Sequence, residues 1–192
     1  MTTDESSASL FVIETALEGL GRIALEQSLL PGMAATAVRT SLGDVNLRAP
    51  AELVTLYGWR NGTSTTDVAL DDIQMFPGFY MLSLEDAIAN YRAFVNDSRW
   101  EPDWLPIFAN GGGDFYLVDL AAPSGTAMRH FRIDETRHPI EFHSVTSFLK
   151  SLAEAFERGI FFVDSSGYLE MDDLVFAALA AEENPDVDWW QT

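Results

Sequence analysis

Trp104–Asp119 reads WLPIFANGGGDFYLVD. Trp104 to Phe108 is an apolar run of strand length, and Phe115 to Leu120 is a second. Between them, Asn110 to Gly113 has the composition of a turn, where glycines supply backbone conformations closed to other residues. The stretch therefore predicts two strands joined by a glycine turn.

Working outward, the downstream chain gives a further strand over Gly125 to Ile133 and a short one over Ile140 to Phe142. Ser144 then caps a helix whose apolar face is Phe148, Leu149, Leu152 and Phe156, ended by Gly159. Ile160 to Val163, Asp164 to Gly167 and Tyr168 to Glu170 have the pattern of a hairpin. Asp172 and Asp173 suit the positive N-terminus of a last helix, running to about Ala181. Upstream, Phe79 to Leu82 is a short strand. Ser83, three residues before Asp86, opens a helix striped by Leu84, Ala87, Ile88, Tyr91 and Val95. Pro50 to Tyr57 is a proline-started helix with Leu53, Leu56 and Tyr57 on one face, and Asn61–Gly62 beyond it favours a tight turn. Thr63 to Asp72 is a loop or weak strand. Leu10, Ile13 and Leu17 recur at helical spacing after a polar start, Met1 to Ser7, that is expected to fray. Ile23 to Leu30 and Met33 to Leu42 have helical composition. Strands grouped between helices predict an α+β fold, in one domain over residues 1–192.

Composition narrows the function. Thirty acids face eleven basic residues for a net charge of −19, and Lys150 is the only lysine. Such a chain repels nucleic acid and anionic membrane and attracts a basic partner. Acid that merely keeps the protein soluble is the competing explanation. With no cysteine, disulfides, thiolate metal sites and cysteine nucleophiles are excluded. No apolar stretch approaches the ~18–20 residues of a membrane span, and the start lacks a signal-peptide pattern, so the cytoplasm is the expected location.

Catalytic motifs are missing. Gly111–Gly112–Gly113 is followed by Asp114 and fits neither a P-loop nor a dinucleotide fingerprint. No GxSxG elbow occurs, and Ser165–Ser166–Gly167 suits a hairpin turn better. His130, His138 and His143 do not have metal-ligand spacing. Asp71–Asp72 and Asp172–Asp173 belong to no calcium loop. Arg129, Arg132 and Arg137, with His130 and His138, form a basic cluster that suits pairing with internal acids. Neither cofactor nor metal is expected.

Three segments carry a family resemblance: PAELVTLYGWRNG (Pro50–Gly62), WLPIFANGGGDFYLVD (Trp104–Asp119) and PIEFHSVTSFLKSLAEAFERG (Pro139–Gly159). Together they resemble the SUKH superfamily, the fold shared by bacterial toxin-immunity proteins and a yeast cell-wall-assembly regulator. Gly113, Asp114 and Tyr116 match its central motif, and Trp104, Leu105 and Pro106 the segment before it. The recognisable core is 50–159, and 164–192 stands outside it as an acidic C-terminal extension. The resemblance implies a strongly bent, mainly antiparallel sheet flanked by helices, and binding rather than catalysis.

The resulting expectation is a protein that binds and neutralises a basic, nuclease-like toxin. A regulatory adaptor and a carboxylate-dependent hydrolase stand as alternatives. Two surfaces are candidates for the partner. One is a groove rimmed by the Asn61 and Asp114 turns, with Trp59 and Tyr116 as aromatic anchors; Trp104 is a further candidate, as tryptophan is enriched in binding hot spots. In the competing structural account, Asp114 accepts backbone N–H bonds of its turn, Asn61 shapes its own, and the tryptophans are core. The other is the extension, with Glu170, Asp172, Asp173, Trp189 and Trp190. The two tryptophans either pack back onto the domain or anchor a partner.

Overall fold

The computed structural model describes residues 2–191. Its centre is an antiparallel meander of five strands: β3 (Tyr80–Met81), β4 (Trp104–Ala109), β5 (Phe115–Asp119), β6 (Ala127–Phe131) and β7 (Ile140–Phe142), paired in chain order. The β4–β5 pair is the two-strand unit read from WLPIFANGGGDFYLVD. Every residue of both strands is buried, which is why the runs show no polar alternation. Register shifts between Pro106 and Phe108 in β4, and between Met128 and Arg129 in β6, mark irregularities of the kind that bend a strand. The α+β class and the antiparallel sheet are as expected.

Two small ladders flank this sheet. β1 (Leu29–Pro31) pairs with β2 (Arg60–Thr63), and β8 (Phe161–Val163) with β9 (Leu169–Met171). Seven α-helices complete the described chain: α1 (Thr2–Gly19), α2 (Ile23–Ser28), α3 (Ala35–Gly43), α4 (Ala51–Trp59), α5 (Leu84–Phe94), α6 (Val145–Glu157) and α7 (Asp173–Glu183). Asp188–Gln191 closes it with a 3-10 turn.

Helix α6 is the central packing element. Ser144 caps it reciprocally with Ser147, and Phe148, Leu149 and Leu152 are sealed in the core. Helix α1 lies along it. Here one expectation fails. The polar start does not fray as a segment: α1 is helical from Thr2, Ser6 and Ser9 are buried, and Ser6 Oγ meets Thr146 Oγ1 at 2.8 Å. Small hydroxyl side chains let the two helices approach closely and still pair their polar atoms. The Glu52 carboxylate of α4 accepts the Thr146 N–H at 3.0 Å, together with the hydroxyls of Thr146 and Thr126. One acid thus ties α4 to the first turn of α6 and the start of β6.

Asn61–Gly62 is the second correction. It forms no hairpin turn but sits inside β2. Gly62 has φ +75°, and a Cβ there would run into the Leu82–Ser83 peptide. Asn61 Oδ1 accepts the Leu84 N–H at 2.9 Å, beside the Ser83 cap of α5. The dipeptide allows a close crossing and caps a neighbouring helix.

Candidate functional site

The sheet and the C-terminal extension enclose a cleft of about 230 Å³. Three consecutive strands set its polar floor. Tyr116 on β5 pairs in register with His130 on β6, and the two rings stack at 4.5 Å. Glu141, in the middle of β7, accepts Tyr116 Oη at 2.9 Å on one carboxylate oxygen and Arg132 Nη2 at 2.9 Å on the other. His130 Nδ1 stands 3.7 Å from the Arg132-bound oxygen. Phe76, Phe79 and Phe148 form aromatic walls.

Burial dominates the electrostatics. It raises the Glu141 carboxyl pKa against the pull of Arg132 and Tyr116, and raises that of the Tyr116 phenol well above its usual value. His130 is pushed down to about 4 by burial and then by the Arg132 charge, so its imidazole is neutral at pH 7. Glu141 is 1% exposed, with each oxygen held. A carboxylate, a phenol and an imidazole are acid–base groups by type, but both Glu141 oxygens are already held, by Tyr116 and by Arg132. The cluster is suited to fixing the β5–β6–β7 geometry.

The extension packs over this floor. Trp190 Nε1 donates to the Glu141 carbonyl at 2.5 Å, and its ring meets Phe142 and Phe176 at 5.6 and 6.1 Å. The Arg132 guanidinium lies 5.2 Å from the Trp189 ring centre. Of the two readings of the tryptophan pair, Trp190 follows packing onto the domain. Trp189 remains 39% exposed while stacking on Arg132.

The first group of anchor residues does not share one groove. Trp59 is half-buried, donates from Nε1 to Glu14 Oε2 at 3.0 Å, and lines a separate pocket of about 120 Å³. The same carboxylate takes Arg60 at 2.6 Å, and against the upward push of burial the bonds from Trp59 and Arg60 hold its pKa below the ordinary value. Asn61 lines a different depression beside Leu84 and Arg92. Trp104 is buried under Arg129, whose guanidinium sits 5.3 Å from the ring centre and pairs with Asp119 at 2.8 Å. Tyr116 belongs to the cleft floor.

Asp114 has a structural task on both sides of its turn, where its Oδ2 accepts the Asn110 Nδ2 amide at 2.9 Å. Asn110 Oδ1 accepts the turn's Gly112 and Asp114 N–H groups at 2.7 and 3.1 Å. Asp114 Oδ1 accepts the Ile133 N–H at 2.8 Å, tying the turn to the chain just past β6.

In the extension, Asp172 caps α7 by accepting the Val175 N–H at 3.1 Å. Asp173 and Glu170 are exposed, and Asp173 stands at the cleft rim. The sequence reading passed over Glu141, Glu52 and Glu14. Glu141 had a legible signal, being a lone acid in an apolar strand, Ile140–Glu141–Phe142. Glu52 and Glu14 had none, because their partners lie tens of residues away.

Among the described residues no group of three or more His, Asp or Glu side chains could hold a metal ion. No described helix is long and apolar enough to cross a membrane. The chain is an α+β domain whose acids lie largely at the surface. The SMI1 / KNR4 family model (SUKH-1) matches residues 43–158, more than half the sequence, and the chain belongs to that family of protein-interaction modules. No curated protein matches it.

Proposed function

We propose that the protein is a non-catalytic immunity module that binds and blocks a basic, nuclease-like bacterial toxin. The observation that carries this reading is charge. Within a chain of net −19, eight acids and no Lys, Arg or His follow Arg158. A nuclease active site is built to hold a polyanion, so an acidic inhibitor can occupy it and be steered there rapidly at low ionic strength. Family membership supports an interaction role.

The test is capture from lysate of the source cells at low and high salt, followed by co-expression. One basic protein, retained at low salt and released at high salt, is expected. Its toxicity should vanish when this chain is co-expressed. Retention of no protein at either salt would overturn the reading.

A further inference from the structure

We infer that the outward face of the β8–β9 hairpin, continued by the first turn of α7, is the docking surface for a basic protein partner. This deepens the protein-binding reading and rests on it.

The register fixes the two faces. Phe161 pairs with Met171, Phe162 with Glu170, and Val163 with Leu169. Directly paired residues share a face, and faces alternate along a strand. One face carries Phe161 and Leu169, 2% and 3% exposed, and packs inward: Phe161 meets Phe156 at 5.0 Å and Phe176 at 5.2 Å. The other carries Phe162 and Glu170, with Tyr168 as the diagonal neighbour of Phe162. A strand face that meets only water is ordinarily polar. Here Phe162 is 43% and Tyr168 49% exposed, and three residues past β9 the helix adds Leu174 at 84% and Val175 at 47%. Of seven exposed large hydrophobic residues among those described, five follow residue 158. The family match ends at 158, so this apolar surface belongs to the added segment.

Charge selects the occupant. Glu170 stands beside Phe162, Asp172 and Asp173 follow, and the Asp164 carboxylate fixes the turn by accepting the Ser166 and Tyr168 N–H groups at 2.8 and 2.9 Å. No basic side chain lies within the extension. Aromatic rings interleaved with carboxylates suit arginine or lysine, whose stems lie on the rings while the heads reach the acids. A second copy of this chain would set the same acids against themselves across a two-fold contact. Nucleic acid and anionic membrane are repelled outright.

The full chain, isotope-labelled, is titrated at low salt with two probes: a hexapeptide alternating arginine and tryptophan, and one alternating arginine and glycine. The tryptophan peptide should bind at least about tenfold tighter, with amide shifts greatest between Phe162 and Val175. The double variant Phe162→Ser, Tyr168→Ser should lose that preference, and Glu170→Arg should weaken both peptides. Equal binding of the two peptides, shifts centred on other acidic elements, or a double variant that keeps the preference would overturn the inference. So would a wild-type dimer that the double variant dissolves, since the occupant would then be a second copy. A failed toxin rescue with a positive peptide result removes the immunity reading and leaves this surface standing. The converse removes only the surface.

Discussion

At the scale of single residues, the chemistry turns on which acids are buried and what holds them. Asp114 was legible as a structural residue, but one of its partners, the Ile133 N–H, lies just past β6, and the turn's own backbone N–H groups go to Asn110. Local sequence shows that a carboxylate must be satisfied; only the sheet register shows by what. The same holds for Glu141, whose partners come from β5 and the end of β6. His130 supplies a prediction here. Its folded-state pKa of about 4 lies below the ordinary 6.5, so the unfolded chain binds the proton more readily between those values. Stability from this group is therefore full above pH 6.5 and lost as pH falls through 4, by about 3 kcal/mol. Glu141 works the other way: its raised pKa makes the ionised form costly, and protonation on acidification relieves that cost. Arg132, Asp114 and His138 also act on His130. Thermal melts from pH 7 to pH 4 should show a falling midpoint for wild type and a shallower fall for His130→Phe, which keeps the ring stacked on Tyr116.

Elements were most legible where capping chemistry is local. Ser83, Ser144 and Asp172 each begin the helix the sequence assigns to them, because the cap and its N–H partner lie three residues apart. Legibility failed where tertiary contact overrode local preference. Thr2 to Ser7 has weak helical tendency, yet Ser6 is driven inward against Thr146 and the helix starts at Thr2. Asn61–Gly62 has turn chemistry, yet the glycine serves a close crossing of β2 over the Leu82–Ser83 backbone. A paired substitution separates these effects. Gly167 also has positive φ, +90°, but nothing lies within 4 Å of a Cβ there. Gly167→Ala should cost about 1 kcal/mol from φ alone, whereas Gly62→Ala should cost about 3 kcal/mol or more, from φ plus a backbone collision. Urea unfolding of both variants checks the difference.

For the whole molecule, the composition fixed the sign of its electrostatics, while the arrangement of the extension required the structure. The hairpin was legible from FFV and YLE flanking Asp164 to Gly167, but which side of it meets the core depends on Phe156 and Phe176. A net charge of −19 opposes compaction. Raising sodium chloride from low to moderate concentration at pH 7 should therefore raise the melting temperature, as counterions screen repulsion over a shrinking Debye length. A midpoint that falls with salt would mean that surface ion pairs such as Arg158–Glu182 outweigh the repulsion. The ion pair between Lys150 on α6 and Glu183 on α7 has a practical corollary. Because no other lysine exists, an amine-directed dye has one side-chain target, 60% exposed, at the seam between the family-matched segment and the added one. The molecule thus comes with a single side-chain amine for an optical reporter, set where loosening of the extension would change its surroundings.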